Sequence, residues 1–203
     1  MKKTLFLIFV IFVISCQEKS GKKVKVKKDT KEVLFSVDNE IKDKTAKNLF
    51  HEGLEKVDEG NYEEAKEKFI EADKIEAKNP IILNGIAQTE SSLGNMEKSI
   101  QISLNVISID SNYVETYVNL GQNYMQRQDY VKAKEILFKG LRFANKTSQY
   151  TKSILLLNLA VAHRESGDCI NGLKYINEAI EISRDREFKD YAEKIKRKCE
   201  DCI

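Results

Sequence analysis

Small and apolar residues recur at helical spacing along most of the chain, in paired segments that are separated by short polar turns. Around the first turn they lie three or four residues apart: Leu49, Gly53 and Val57 before it, and Ala65, Phe69 and Ala72 after it. Such spacing places side chains on one face of a helix. The pattern therefore predicts a helix, a turn and a second helix whose apolar faces pack together.

The turns between paired segments recur at a nearly constant interval. Four of them have similar sequences: Gly60-Asn61-Tyr62, Gly94-Asn95-Met96, Gln128-Asp129-Tyr130 and Gly167-Asp168-Cys169. The first three are 34 residues apart, and the fourth follows the third by 39. Because one helical pair cannot bury its apolar face alone, this repeat predicts a stacked solenoid. Its units span about 46–79, 80–113, 114–147 and 153–186, and an insertion near 148–152 is expected to lengthen a helix.

These units resemble the tetratricopeptide repeat (TPR) family. Its pattern has a large apolar residue, Leu-Gly, an aromatic residue, a Gly-Asp/Asn-Tyr turn, and then small, large and small residues. The third unit matches best, with Tyr117, Leu120-Gly121, Tyr124, Asp129-Tyr130, Ala133, Leu137 and Gly140. The second unit is the weakest match, because Ser99 and Ser103 stand on its second helix. The resemblance implies an all-α fold: a right-handed TPR solenoid of about four repeats over 45–186.

The last unit would expose an apolar side unless another element covers it. Residues 187–203 predict a capping helix, since Phe188, Tyr191, Ala192 and Ile195 fall at helical spacing among Lys and Glu residues. A charged outer face is what a terminal cap needs for solubility.

In the TPR family, the first helix of each unit lines a concave groove that holds a peptide. Carried over by register, the resemblance implies these groove residues: Phe50, Leu54, Asn84, Gln88, Val118, Gln122 and Met125. The amides would be exposed and pair with a peptide backbone, because burial of unpaired amides is costly. Alternatively, the Phe, Leu and Val positions pack against the next helix, which we favour for Leu157 and Val161. The Lys, Asn and Arg set of the family's carboxylate clamp is missing.

The amino terminus resembles the signal peptide of bacterial lipoproteins. Lys2 and Lys3 precede an apolar run from Leu5 to Ile14, which is too short to cross a bilayer as a helix. The run ends in Val-Ile-Ser-Cys, which resembles a lipobox with Cys16 as the acylated residue. Residues 1–15 are then a signal peptide. The alternatives are a plain signal peptide or an N-terminal anchor with an accidental cysteine.

Residues 16–44 form a lysine-rich spacer that buries too little apolar surface to offset its ordering entropy, which predicts a flexible tether. The alternation of Val24 and Val26 is compatible with a short strand, but no partner strand is evident nearby. The lysines of this segment are also suited to contact anionic headgroups next to the lipid anchor.

Charge excludes a strongly basic nucleic-acid binder. The chain has 34 Lys and Arg against 32 Asp and Glu, and cleavage before Cys16 removes two lysines, which leaves a net side-chain charge of zero. A single proline favours helices. Gln17 rather than Asp after the acylated cysteine points, by the enterobacterial sorting rule, to the periplasmic face of the outer membrane.

Three cysteines remain after Cys16 is acylated: Cys169, Cys199 and Cys202. Thiols of an exported protein can oxidise. Because an antiparallel capping helix returns residues near 200 to the start of the preceding helix, we expect a disulfide from Cys169 to either Cys199 or Cys202. It would fasten the cap to the last repeat.

The sequence gives no support for an enzyme. His51 and His163 lie in different units without a second ligand at metal spacing, and no phosphate loop or nucleophile elbow is present. No cofactor or metal is expected. Two function classes remain: a membrane-anchored scaffold that binds an envelope protein or peptide in its groove, and an accessory subunit of an envelope enzyme or solute-uptake system.

Overall fold

The computed structural model describes residues 41–144 and 149–203, together with the backbone of residues 23–28 and 31–36. The described helices are α1 (Lys44–Glu59), α2 (Tyr62–Ile75), α3 (Pro80–Ser92), α4 (Met96–Ile109), α5 (Glu115–Gln126), α6 (Tyr130–Phe143), α7 (Gln149–Glu165), α8 (Cys169–Ile182) and α9 (Arg186–Glu200). The predicted signal peptide and Cys16 lie outside the described residues, as do the tether residues other than 23–28, 31–36 and 41–44.

Two strands precede the helices, β1 (Lys23–Lys28) and β2 (Lys31–Ser36). They pair as an antiparallel hairpin, with Val24 opposite Phe35 and Val26 opposite Val33. The expectation that a strand at Val24 and Val26 would have no partner was wrong. The physical reason is that residues 33–35 are apolar and include β-branched Val33 and aromatic Phe35, a composition that favours a strand despite the flanking lysines.

The helices form four pairs that stack in chain order, with α9 packed against α8 at the end. Each helix contacts the next one, and the first helices of neighbouring units also touch, since α3 contacts α5 and α5 contacts α7. Helix α7 is the longest, at 17 residues, and it begins where the sequence indicates an insertion. This arrangement places α3, α5 and α7 between other helices and leaves the second helices on the outside.

Two apolar cores lie along the stack, and the second unit separates them. One core belongs to the first unit and the start of α3, where the Phe50 and Phe69 rings lie 5.1 Å apart. The other runs from Ile100 through the third and fourth units to α9. Between them, Ser103 is buried at the position that Phe69 and Leu137 occupy in neighbouring units. The weak family match of unit two therefore corresponds to a polar layer in the interior.

Small residues permit the helices of a pair to approach closely. A Cβ atom added to Gly53 would lie 2.5 Å from the Phe69 ring, and one added to Gly121 would lie 2.7 Å from the Leu137 side chain. Such distances are incompatible with ordinary packing, so a larger residue forces the facing side chain to move. These glycines set the spacing between α1 and α2 and between α5 and α6.

Side-chain caps fix the start of several helices. Asp43 accepts hydrogen bonds from the backbone amides of Thr45 and Ala46, and Asn79 accepts from Ile81 and Ile82 ahead of Pro80. An oxygen at this position satisfies amide groups that have no partner within the helix. The caps explain why α1 and α3 begin sharply at these residues.

The carboxylate of Glu76 ties the end of α2 to the start of α1. It accepts hydrogen bonds from the backbone amides of Lys42 and Asp43 at 2.7 and 2.8 Å and from the Asn79 side chain at 2.7 Å. Burial alone would raise the pKa of Glu76, but these donors hold it below its ordinary value. The first unit is thus closed by hydrogen bonds as well as by its apolar core.

The turn between the helices of each unit requires a left-handed backbone at one repeated position. Gly60, Gly94 and Gly167 occupy it in three units with φ between 80° and 84°, whereas Gln128 occupies it in the third unit with φ of 60°. Glycine adopts this conformation without a steric penalty, whereas a residue with a Cβ atom adopts it only at a steric cost. The third turn is therefore strained by its side chain.

A disulfide joins the last repeat to the capping helix. It connects Cys169 at the start of α8 to Cys202 just after α9, with Cα atoms 6.1 Å apart. Of the two partners that the sequence leaves open, the structure has Cys202, while Cys199 is a buried free thiol. Burial raises the pKa of the Cys199 thiol, which favours its protonated form. The bridge closes a loop with a sequence separation of 33, which stabilises the fold by about 3–4 kcal/mol in the chain-entropy model.

Reciprocal substitutions test the strain at the third turn. Gln128→Gly is expected to raise the free energy of unfolding by about 1 kcal/mol, because it removes the left-handed penalty. Gly94→Gln should lower it by a similar amount, and the added Cβ meets nothing within 4 Å, so only the backbone is strained. Urea denaturation measures both variants. An unchanged free energy in both would contradict the assigned turn conformations.

Candidate functional site

The first helices of the units carry the residues for which the sequence predicts a peptide groove. Three of these residues lie in the apolar cores: Phe50, Leu54 and Val118 are at most 2% exposed. Their prediction as groove residues was wrong. The reason is that each first helix is enclosed by neighbours on several sides, so apolar residues on its inner face complete the core. The alternative that these side chains pack against the next helix describes them correctly.

The predicted groove amides are enclosed as well. Asn84 and Gln88, both on α3, are 5% and 7% exposed, so their expected exposure was wrong. Gln122 and Met125 on α5 are half-buried, and Met125 packs against the larger apolar core. Among the predicted groove residues, only these last two retain a substantial accessible surface. The sequence did not show how far neighbouring units cover α3.

Instead of facing a ligand, the Asn84 side chain links two units. Its Oδ1 atom accepts hydrogen bonds from Thr116 Oγ1 at 3.0 Å and from Asn119 Nδ2 at 2.8 Å, both on α5. All three side chains are buried. Two donors that converge on one oxygen fix the register of α3 against α5, because buried donors without acceptors are costly.

A second chain of polar contacts joins α3, α4 and α5. Ser91 donates to Asn123 Oδ1 at 2.7 Å, and Asn123 Nδ2 donates to Ser99 Oγ at 2.8 Å. Ser99 in turn donates to the carbonyl oxygen of Ala87 at 2.6 Å. The buried serine of the second unit is therefore part of a hydrogen-bond network that spans two units.

The polar contacts continue into the fourth unit. Gln122 Nε2 donates to Asn158 Oδ1 at 3.3 Å, and Asn158 Nδ2 donates to the carbonyl of Ile154 at 2.9 Å. We call the interunit contacts of Asn84, Thr116, Asn119, Asn123, Gln122 and Asn158 the amide ladder. The ladder uses the amides for packing between units, where the resemblance implied a peptide.

Two buried polar side-chain atoms of the second unit, Gln88 Nε2 and Ser103 Oγ, have no hydrogen-bond partner among the described residues. Close by, the fully buried carboxylate of Glu90 is paired with Lys98, whose Nζ lies 2.6 Å from Oε1. Burial would raise the pKa of Glu90, but Lys98 and the Asn95 amide hold it below its ordinary value. The second unit thus buries a carboxylate as well as polar atoms that have no partner.

The two histidines occupy different environments. His163 Nδ1 lies 2.9 Å from Asp168 Oδ2, and the ring packs against Tyr175 and Phe138. The Asn171 side chain and then His163 hold the pKa of Asp168 at about 2. Burial and the neighbouring Lys47 lower the pKa of His51. The His163 pair links the end of α7 to the start of α8, which is a packing role.

Across residues 41–144 and 149–203, no three His, Cys, Asp or Glu side chains are grouped so that they would hold a metal ion. Within that part of the chain, no helix has both the length and the apolar character needed to span a bilayer.

The outer surface presents a feature that the sequence analysis missed. Val131 and Ile170, near the starts of α6 and α8, are 75% and 73% exposed, and Phe138 on α6 is also exposed. A signal was present in the repeat: the equivalent residues of the first two units are Glu63 and Glu97. Comparison of equivalent positions would have identified these apolar residues without a structure.

Solved structures similar to this chain share its helical repeats. The Sgt2 TPR domain from Aspergillus fumigatus is 23% identical, covering 63% of this chain and 83% of that one, with a TM-score of 0.57. MamA from Desulfovibrio magneticus is 14% identical, covering 79% and 92%, with a TM-score of 0.58. The Cut9–Hcn1 hetero-tetramer is 17% identical, covering 76% of this chain and 30% of that one, with a TM-score of 0.64.

These likenesses, all below 25% identity, show the fold alone. The chain has the TPR fold, and the predicted all-α solenoid with a capping helix is confirmed. No family model matches the sequence. No curated protein matches it either.

Removal of the Asn84 amide tests the ladder. Asn84→Ala leaves Thr116 Oγ1 and Asn119 Nδ2 without their acceptor, which is expected to lower the free energy of unfolding by about 1–3 kcal/mol. Asn177→Ala on the exposed face of α8 is the matched control and should change it by less than about 0.5 kcal/mol. Chemical denaturation compares the two. Equal effects would show that the ladder contributes nothing to interunit packing.

Proposed function

We propose that this protein is a membrane-anchored scaffold of the bacterial cell envelope that holds a partner protein through its TPR domain. The TPR fold carries the proposal, because stacked helical pairs present extended surfaces suited to protein partners. The similar Cut9 structure, which was solved as a hetero-tetramer with Hcn1, supports protein assembly as a use of this fold.

The anchoring part of the proposal rests on the N-terminal sequence. The apolar run that ends at Cys16 has the length of a signal-peptide core, and Ser15 is small enough for cleavage before the cysteine. Acyl chains on Cys16 would hold the mature protein to a membrane, since each buried methylene contributes about 0.8 kcal/mol. The lysine-rich segment that follows would place the TPR domain beside the membrane surface. We place the anchor at the periplasmic face of the outer membrane.

The second candidate is an accessory subunit of an envelope enzyme or solute-uptake system. In the described residues, the buried Gln88 Nε2 and Ser103 Oγ atoms without partners are the observation that favours it, because unpaired polar atoms are expensive to bury. These atoms lie inside the solenoid and not at a cleft with converging catalytic groups. The scaffold is therefore the stronger reading.

Acylation is tested with Cys16→Ser. In cells fed an alkyne-bearing palmitate, the wild-type protein should carry the label and sediment with membranes, and Cys16→Ser should lose both properties. Ser15→Ala is the matched control, because alanine is also small, and it should remain labelled. Membrane sedimentation of Cys16→Ser at the wild-type level would contradict the lipid anchor.

Partner binding is tested on the full chain by in-cell crosslinking and affinity purification. A partner protein should be recovered with the wild type and reduced with Cys16→Ser, which is not held at the membrane. The second candidate predicts a different result: a solute raises the melting temperature of the purified protein, and no protein is crosslinked. That outcome would overturn the scaffold.

A further inference from the structure

Equivalent residues of the four units point to a surface that folding does not require. The second residue of each second helix is Glu63 in α2, Glu97 in α4, Val131 in α6 and Ile170 in α8. An acidic side chain in the first helical turn is stabilised by the helix dipole. Val131 and Ile170 are uncharged and cannot make that interaction. They also bury little surface, because they are 75% and 73% exposed. Their apolar character therefore has no explanation within the folded chain.

A hydrogen bond links the segments that carry Val131 and Ile170. Lys134, one turn after Val131 on α6, donates from Nζ to Ser166 Oγ at 3.0 Å, and Ser166 lies in the connection between α7 and α8, four residues before Ile170. Phe138 is seven residues after Val131 and so shares its helix face. We call Val131, Phe138 and Ile170 the outer patch. Exposed apolar side chains grouped on neighbouring helices are typical of interaction sites.

The fourth unit supports the patch from beneath. The Phe138 ring lies 5.7 Å from the ring of Tyr175 on α8 in an edge-to-face arrangement, and 6.2 Å from His163. These contacts hold Phe138 in place while it remains 37% exposed. The outer patch is thus built on two packed helices and is preorganised for contact.

Cations border the outer patch. Lys139 and Arg142 line an open recess of about 610 Å³ on α6 together with Phe138, Leu141 and Glu135. No carboxylate in the described part of the chain lies within ion-pair distance of Lys139 or Arg142. The α6 helix carries four cations, Lys132, Lys134, Lys139 and Arg142, against the single carboxylate of Glu135.

We propose that the outer patch binds an amphipathic helix of a partner protein whose apolar residues are flanked by Asp or Glu. Its apolar face would cover Val131, Phe138 and Ile170, and its carboxylates would pair with Lys139 and Arg142, as charge complementarity requires. The proposal rests on the scaffold function and names the surface that performs it. A helix fits better than a bilayer, because Glu135 lies in the recess and would be desolvated by lipid.

The test selects ligands from a phage library of random 20-residue helical peptides on the full-length chain. Enriched peptides are expected to carry Leu or Phe at helical spacing beside Asp or Glu. Fluorescence anisotropy then compares binding to the wild type and to Val131→Glu/Ile170→Glu. This variant introduces the residue type of units one and two, so it should fold, which its melting temperature checks. Affinity should fall by about tenfold or more.

Two further variants make the result specific. Lys139→Glu/Arg142→Glu should weaken binding of the same peptides, and added salt should no longer lower their affinity, because it then screens a repulsion. The matched control Ile75→Glu/Ile109→Glu removes exposed apolar residues from the other ends of the second helices, and it should bind as the wild type does.

Several outcomes would contradict the proposal that the outer patch binds a partner helix. Peptides that bind Val131→Glu/Ile170→Glu and Lys139→Glu/Arg142→Glu as tightly as the wild type would leave the scaffold function intact and place its binding surface elsewhere. Failure to enrich any peptide would count against the scaffold function as well. Phosphatidylglycerol vesicles that bind the unlipidated Cys16→Ser chain through Val131 and Ile170 would assign the patch to a membrane. Self-association lost in the Val131→Glu/Ile170→Glu variant would assign it to a second copy.

Discussion

The structure depends on one constraint: a single helical pair has more apolar surface than it can bury, so every unit requires a neighbour. Each unit satisfies this need by enclosing the first helix of the next, and α9 closes the series. The enclosure has a functional consequence. It uses the inner faces of α3, α5 and α7 for packing between units, where the resemblance to TPR proteins implied a peptide groove, and it leaves the second helices as the exposed part of the molecule.

The second unit joins two apolar cores through hydrogen bonds. Apolar contacts tolerate small shifts of one helix along another, whereas converging donors and acceptors do not. Asn84, with donors from both Thr116 and Asn119, therefore fixes the position of unit three against unit two. Ser99 and Asn123 do the same between α4 and α5. Satisfied polar networks of this kind specify one packing arrangement at little net gain in stability.

Much of the fold could be predicted from sequence because its determinants are local. Turn residues such as Gly60 and Gly94, small residues such as Gly53, and helical apolar spacing are visible without a structure. Burial of the first helices was not visible, because Phe50 and Val118 have the same spacing whether they face a groove or the next unit. The curvature and closeness of the stack decide between these outcomes, and they arise from contacts across many units.

The outer patch could be identified only by combining the sequence repeat with the exposure of its residues in the structure. Val131 and Ile170 fit the apolar composition of any amphipathic helix, so neither residue alone indicates a binding site. Only their equivalence to Glu63 and Glu97, together with their exposure, separates them from core residues. A repeat protein provides its own internal comparison, since four copies of one position meet nearly the same packing demands. A residue that differs from its equivalents in the other repeats, and whose difference packing does not explain, is a candidate binding residue.

We infer that the exposed second helices, and not the enclosed first helices, contact the partner. Site-specific photo-crosslinking in living cells tests it most directly, with the crosslinker at Ile170 on the outer patch or at Gln122 on the inner face of α5. A discrete protein adduct is expected from position 170 and none from position 122. An adduct from position 122 alone would contradict it and return the partner to the concave groove.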